Sequence, residues 1–129
     1  MFGEATILGH NELTIDSKGR AFIPAETKRE AGEELVLLYD EELEIYKVYS
    51  IHEIEKVLEK LNKKLLNSKS SLEALHLKKR IYEISKSVLR RSKIDSQGRM
   101  NFGTIFENYE KVLSIGCYNH LVIKPIEKK

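Results

Sequence analysis

Ile15-Asp16-Ser17-Lys18-Gly19-Arg20 is answered, from residue 94, by Ile94-Asp95-Ser96-Gln97-Gly98-Arg99. The same six-residue phrase recurs with one change, Lys to Gln, in a chain of 129 residues. Self-similarity of this kind marks repeated structural units, so the chain reads as two copies of a small unit joined by a long insert. Each residue type in the phrase has a role in a turn. An Asp side chain accepts hydrogen bonds from backbone N–H groups two residues on, Ser does so more weakly, and Gly takes positive φ without a Cβ clash. Asp16, Ser17 and Gly19, and likewise Asp95, Ser96 and Gly98, are therefore the candidate loop-shaping residues. Lys18 and Arg20 project from the first turn, Gln97 and Arg99 from the second. Backbone N–H groups in such turns can also face an anion. The competing reading is a plain hairpin turn whose Asp pairs with the following Arg. A catalytic role for Ser17 or Ser96 would need an activating base. No His stands at a repeated offset and no Gly-x-Ser-x-Gly surrounds either Ser, so the chain is read as a non-enzyme.

Around the phrase, short β-prone runs alternate with turn signals. Residues 5–8 and 13–15 read as strands separated by the turn cluster Gly9-His10-Asn11. Ala21-Phe22-Ile23 reads as a strand ended by Pro24, and residues 25–31 as two helical turns capped by Gly32. Residues 35–39 and 43–49 complete the first unit as strands. The second unit repeats the order: Met100 to Phe102, a helical turn near Thr104, then 112–115 and 121–123 as strands, the last stopped by Pro125. Between them Ile51, Ile54, Leu58, Leu61 and Leu65 follow helical spacing after a Ser50/Glu53 capping box. Ala74, Leu77, Ile81, Ile84 and Val88 do so after Ser70/Glu73. Two such seams joined by a short polar loop predict an antiparallel helical hairpin, with Lys78, Lys79, Arg80 and Lys86 on its solvent side. The predicted organisation is residues 1–49, a first β unit; 50–91, the hairpin insert; and 92–129, a second β unit, all within one α+β fold.

The net charge of +2 hides an asymmetry. Residues 1–55 hold 5 Lys/Arg against 13 Asp/Glu, whereas residues 56–99 hold 13 against 4. The basic middle suits a polyanion, or the acidic and basic parts meet within the fold or between subunits. Cys117 is the single cysteine, which excludes an intrachain disulfide and fits a reducing cytoplasm. His10, His52, His76 and His120 have no metal-ligand spacing, so no metal or other cofactor is expected. No signal-peptide pattern and no apolar run of membrane-spanning length stands in the sequence, so no membrane partner is expected.

The opening Met1-Phe2-Gly3-Glu4 and the run from Ile15 to Pro24 resemble the MraZ family, bacterial transcriptional regulators associated with the cell-division and cell-wall gene cluster. Residues 1–49 carry the resemblance specifically and residues 92–124 more weakly. It implies a swapped-hairpin, AbrB-like barrel of two interleaved β repeats, each bearing an Asp-x-x-x-Arg loop. It also implies ring-like homo-oligomers, nucleoid-associated in the cytoplasm, that bind short direct repeats of double-stranded promoter DNA. The implied loops are Asp16 and Arg20 with Lys18, and Asp95 and Arg99. The second copy departs from the family pattern. Phe102-Gly103 replaces Ile-Pro, Asn101 falls where an apolar residue is expected, and in the first copy Thr27 stands where an aromatic residue is expected. Arg20 is therefore expected to matter more for DNA than Arg99. The readings set against this one are an interaction protein that kept the fold without DNA binding, and an AbrB-like antitoxin.

Overall fold

Each copy of the phrase runs straight into a three-residue strand, β2 (Arg20–Phe22) and β6 (Arg99–Asn101), and these two strands pair with each other. Their antiparallel register sets Arg20 against Asn101, Ala21 against Met100 and Phe22 against Arg99. Two further backbone bonds extend the ribbon, Ile23 N to Gly98 O at 3.0 Å and Phe102 N to Gly19 O at 2.8 Å. Side chains alternate along it as strand geometry requires. Ala21, Ile23, Met100 and Phe102 are buried, while Phe22 is exposed and Arg20, Arg99 and Asn101 are half-buried.

The remaining strands form one antiparallel sheet. A computed structural model describes residues 1–129. In it β1 (His10–Thr14), β3 (Glu34–Asp40), β4 (Ile45–Ser50), β5 (Val88–Lys93), β7 (Tyr109–Cys117) and β8 (His120–Lys128) lie in the order β1-β7-β8-β4-β3-β5. β1 precedes the first phrase and pairs with β7, whereas β5 precedes the second and pairs with β3. Matched copy to copy, the order reads the same from either edge. The architecture is thus α+β, with a mostly antiparallel sheet and two helices. No helix is long and apolar enough to cross a membrane.

Sixteen buried apolar residues from both ends of the chain make the main core, among them Ile7, Ile15, Ile23, Leu35, Leu37, Ile94, Phe102, Phe106 and Val112. β3 is buried on both faces. Leu35 and Leu37 enter the main core, and Val36 and Leu38 join Ile54 in a smaller cluster beneath the helices. α1 (Ile51–Leu66) and α2 (Ser71–Ser87) form the hairpin that the spacing predicts, packing on each other and on β3, β4 and β5. Ser50 and Ser70 are the N-caps; Ser70 accepts from Glu73 N, but Ser50 accepts from His52 N instead of Glu53 N. The seam residues are half-buried except for buried Ile54, so the hairpin stands beside the core and does not complete it.

Several local expectations fail for identifiable reasons. The run 5–8 contributes only an isolated bridge, Ile7 to Tyr118, while His10 and Asn11 pair with Ile115 and Ser114 as the start of β1. Tertiary pairing overrides turn-prone composition there. The segment after Pro24 makes one 3-10 turn, Ala25–Thr27, because Lys28 turns left-handed at φ 63° and ends it. The stretch near Thr104 is a series of turns, and Val88 opens β5 instead of closing α2. Pro125 does not stop the last strand. β4 pairs with β8 only at Leu121 to Ile123, so no ladder bond to β4 is due at Pro125, and a register shift in β7 admits it opposite Val112.

Phe102 is fully buried and stacks edge-on to Phe106 at 5.4 Å between ring centroids. Phe102→Ala should cost about 3–5 kcal/mol of unfolding free energy in urea denaturation. Leu61→Ala, in the half-buried seam, should cost less.

Candidate nucleic-acid interface

The two loops are built by the same bonds. In the first, Asp16 Oδ1 accepts from the backbone N–H of Lys18 and of Arg20, both at 2.9 Å, and Oδ2 accepts from Arg20 Nε at 2.8 Å. In the second, Asp95 Oδ1 accepts from Gln97 N and Arg99 N, both at 2.9 Å, and Oδ2 from Arg99 Nε at 2.7 Å. Each turn closes through its own backbone: Gly19 N donates to Asp16 O at 3.0 Å, and Gly98 N to Asp95 O at 3.1 Å. Gly19 and Gly98 sit at φ 83° and 89°. A Cβ on Gly19 would also strike the Gly103 carbonyl oxygen, and one on Gly98 the Arg29 guanidinium. Glycine is required by conformation at both positions, and at position 19 by space as well.

Three donors on each carboxylate favour its ionised form. The backbone N–H of Arg20, and then the Arg20 side chain, hold Asp16 below the usual carboxylate range; Arg99 does the same for Asp95. The Nε of each Arg is committed to its Asp, while the terminal Nη groups make no hydrogen bond within the chain. Each guanidinium is thereby aimed, with its outer edge available to an acceptor. Lys18 and Gln97 are exposed at the tips. Ser17 and Ser96 are exposed and their hydroxyls make no hydrogen bond within the chain, so Asp and Gly shape the loops without them.

The departures in the second copy leave its loop intact. Asn101 is not a gap in the core, since its counterpart Phe22 also points outward, 56% exposed. Its Oδ1 accepts from Gly103 N at 2.7 Å and steadies the exit from β6. Thr27 is fully buried and donates from Oγ1 to Pro24 O at 2.7 Å; the aromatic residue stands at the matching place in the other copy, Phe106.

No family model matches the chain. The chain is 40% identical over 65 residues to the transcriptional regulator MraZ of Caldanaerobacter subterraneus subsp. tengcongensis, an alignment covering 50% of this chain and 45% of that protein. The match thus spans about half the length of each.

Two arginines at the ribbon escape sequence reasoning. Arg29 Nε donates to Ile23 O at 2.5 Å, and its guanidinium lies against Gly98. Arg90 Nε donates to Asn101 O at 2.9 Å, beside Gly103. No repeat or spacing marks either residue, and only the tertiary fold brings them to the ribbon. The basic helical face is elsewhere. Lys78, Lys79, Arg80 and Lys86 are exposed on α2, and the hairpin covers the face of β3 opposite the main core. His120, also away from the loops, stacks on Tyr49 at 4.4 Å. No group of three or more His, Cys, Asp or Glu side chains is arranged to hold a metal.

Acid should lower the protein's stability over two pH windows. Burial pushes His120 from 6.5 down to about 4, so the unfolded chain binds its proton first and stability falls as pH drops from 6.5 toward 4. The lowered Asp16 and Asp95 stabilise above the ordinary value of 3.8, and this is lost as pH falls below 3.8 through their folded values. Thermal melts across pH should show His120→Gln flattening the fall in the upper window, and Asp16→Asn with Asp95→Asn flattening that in the lower.

Proposed function

We propose that this chain is a sequence-specific, DNA-binding transcriptional regulator of MraZ type. It binds short direct repeats in the DNA upstream of its own cell-division and cell-wall gene cluster, as a cytoplasmic, nucleoid-associated protein. The observation that carries the reading is the pair of identically bonded Asp–Arg loops at the two ends of one ribbon. The name of the partial relative supports it. The strand order supports reading the fold as a swapped-hairpin, AbrB-like barrel of two interleaved repeats around an inserted helical hairpin, with β5 drawing the second repeat's start back from residue 92 to Val88.

A two-stranded β-ribbon is narrow enough to enter the major groove. Arg20 and Arg99, held by Asp16 and Asp95, offer their Nη edges to guanine O6 and N7, each good pair worth about 1–3 kcal/mol of discrimination. Lys18 neutralises phosphate, and Gln97 at the other tip contacts DNA without adding charge. One chain offers few such contacts, so useful affinity requires several chains engaged together on a ring. The −8 and +9 segments provide unlike surfaces for a head-to-tail contact. The basic α2 exposes Leu72, Leu75 and Tyr82, and the β3–β4 turn is acidic at Asp40, Glu41, Glu42 and Glu44.

Gel shifts on the chain's own upstream region should lose the specific complex with Arg20→Ala, with unchanged circular dichroism. Arg99→Ala should weaken binding less, because the tip of its loop lacks a lysine. Unchanged binding by Arg20→Ala overturns the assignment. Light scattering coupled to size exclusion should give a multiple of the 14.9 kDa chain mass at low salt, reduced at high salt. A monomer at both salts overturns the ring.

A further inference from the structure

The outward face of the β2–β6 ribbon carries four side chains, and two of them have no part in holding the loops. Arg20 and Arg99 are tied to their aspartates. Phe22 and Asn101 occupy the equivalent outward positions next along each strand, and they are chemically unlike. Phe22 is 56% exposed, on the same outward face as Arg20 and across the ribbon from Arg99. It does not hang free. Its cross-strand partner Arg99 lies over the ring, guanidinium carbon 5.8 Å from the centroid, and Asp95 fixes that arginine from the other side. The ring is thereby held on the strand beneath the Arg99 guanidinium.

Resting on the DNA-binding reading above, we infer that Phe22 is a base-reading residue that packs on the C5-methyl group of a thymine. Apolar side chains read thymine in the major groove by contact with this methyl, the one apolar feature a base pair presents there. The matching position in the other half is Asn101. Its Oδ1 is occupied by Gly103 N, which leaves its amide N–H₂ to donate. The two halves of the ribbon are then equal in their loops and unequal between them. One half reads a methyl and the other an acceptor, which gives the bound site a direction. The same exposed ring could instead be covered by a second copy of this chain. Arg99 over the ring and Arg20 two residues away on the same outward face favour nucleic acid.

The test begins with selection of a preferred duplex from random DNA by the intact wild-type protein. Each thymine of that duplex is then replaced singly by uracil, which removes the methyl and leaves the hydrogen-bonding edge unchanged. Burying one methyl group is worth about fourfold in affinity, so uracil at one thymine position should weaken wild-type binding about fourfold in fluorescence anisotropy. Phe22→Ala should bind the thymine and uracil duplexes equally, with an unchanged melting temperature, and Phe22→Leu should keep the sensitivity. Two results overturn the inference while leaving DNA binding in place: wild-type binding indifferent to uracil at every position, or Phe22→Ala as sensitive as wild type. A change of oligomeric mass in Phe22→Ala with uracil sensitivity retained overturns it in favour of a subunit contact. Failure of the wild-type protein to select or bind any duplex overturns the DNA reading itself.

Discussion

Everything else in this protein hangs from the pairing of two strands of three residues each. Alone, such strands are far too short to be stable. They persist because each is led into by a turn whose aspartate fixes that strand's first N–H, and because their inner side chains are part of the main core. Ala21, Ile23, Met100 and Phe102 seal that core from the ribbon side. The loops therefore serve two ends at once. An ionised Asp with three donors stiffens the turn, and the stiff turn presents an arginine whose inner nitrogen is already satisfied.

The charge asymmetry takes on a different meaning once the layers are known. In the sequence, the basic stretch runs from the helices into the second phrase. In space, the helical lysines and the loop arginines are on opposite sides of β3, with the sheet between them. The loops and Arg29 and Arg90 make a local positive surface at the ribbon, and the hairpin makes another with its own apolar residues. The acidic turn between β3 and β4 lies close to the hairpin, where Asp40 and Lys47 pair at 3.0 Å.

The turn of the repeated phrase was legible because its information is local, although Ser17 and Ser96 take no part in it. Asp, Gly and Arg at fixed offsets dictate one backbone turn, and both copies adopt it. The helices were legible because their apolar spacing repeats over four turns. Boundaries that depend on partners were not. His10 and Asn11 look like a turn until β7 is placed beside them, and Pro125 looks like a stop until the short span of β4 is known. Asn101 and Thr27 look like defects only while each copy is judged against a pattern. In the fold Asn101 faces outward and Thr27 answers its own hydrogen bond. Phe22 faces water, and a strand of three residues is too short to announce by alternation which side turns inward. The arginines at positions 29 and 90 carry no local signal, so only the packing discloses them.

Ala21 opposite Met100 has a consequence for how the chain came to be as it is. Across a ribbon with approximate twofold symmetry, a self-pairing unit would place the same residue on both sides of the axis. Two alanines there would leave a void, and two methionines would crowd the same space. One small and one long side chain fill it once. The halves are thus complementary in shape at their shared axis, and neither is interchangeable with the other. Such a molecule has given up the freedom to assemble from two identical halves, and in exchange each half is free to change its outward face independently.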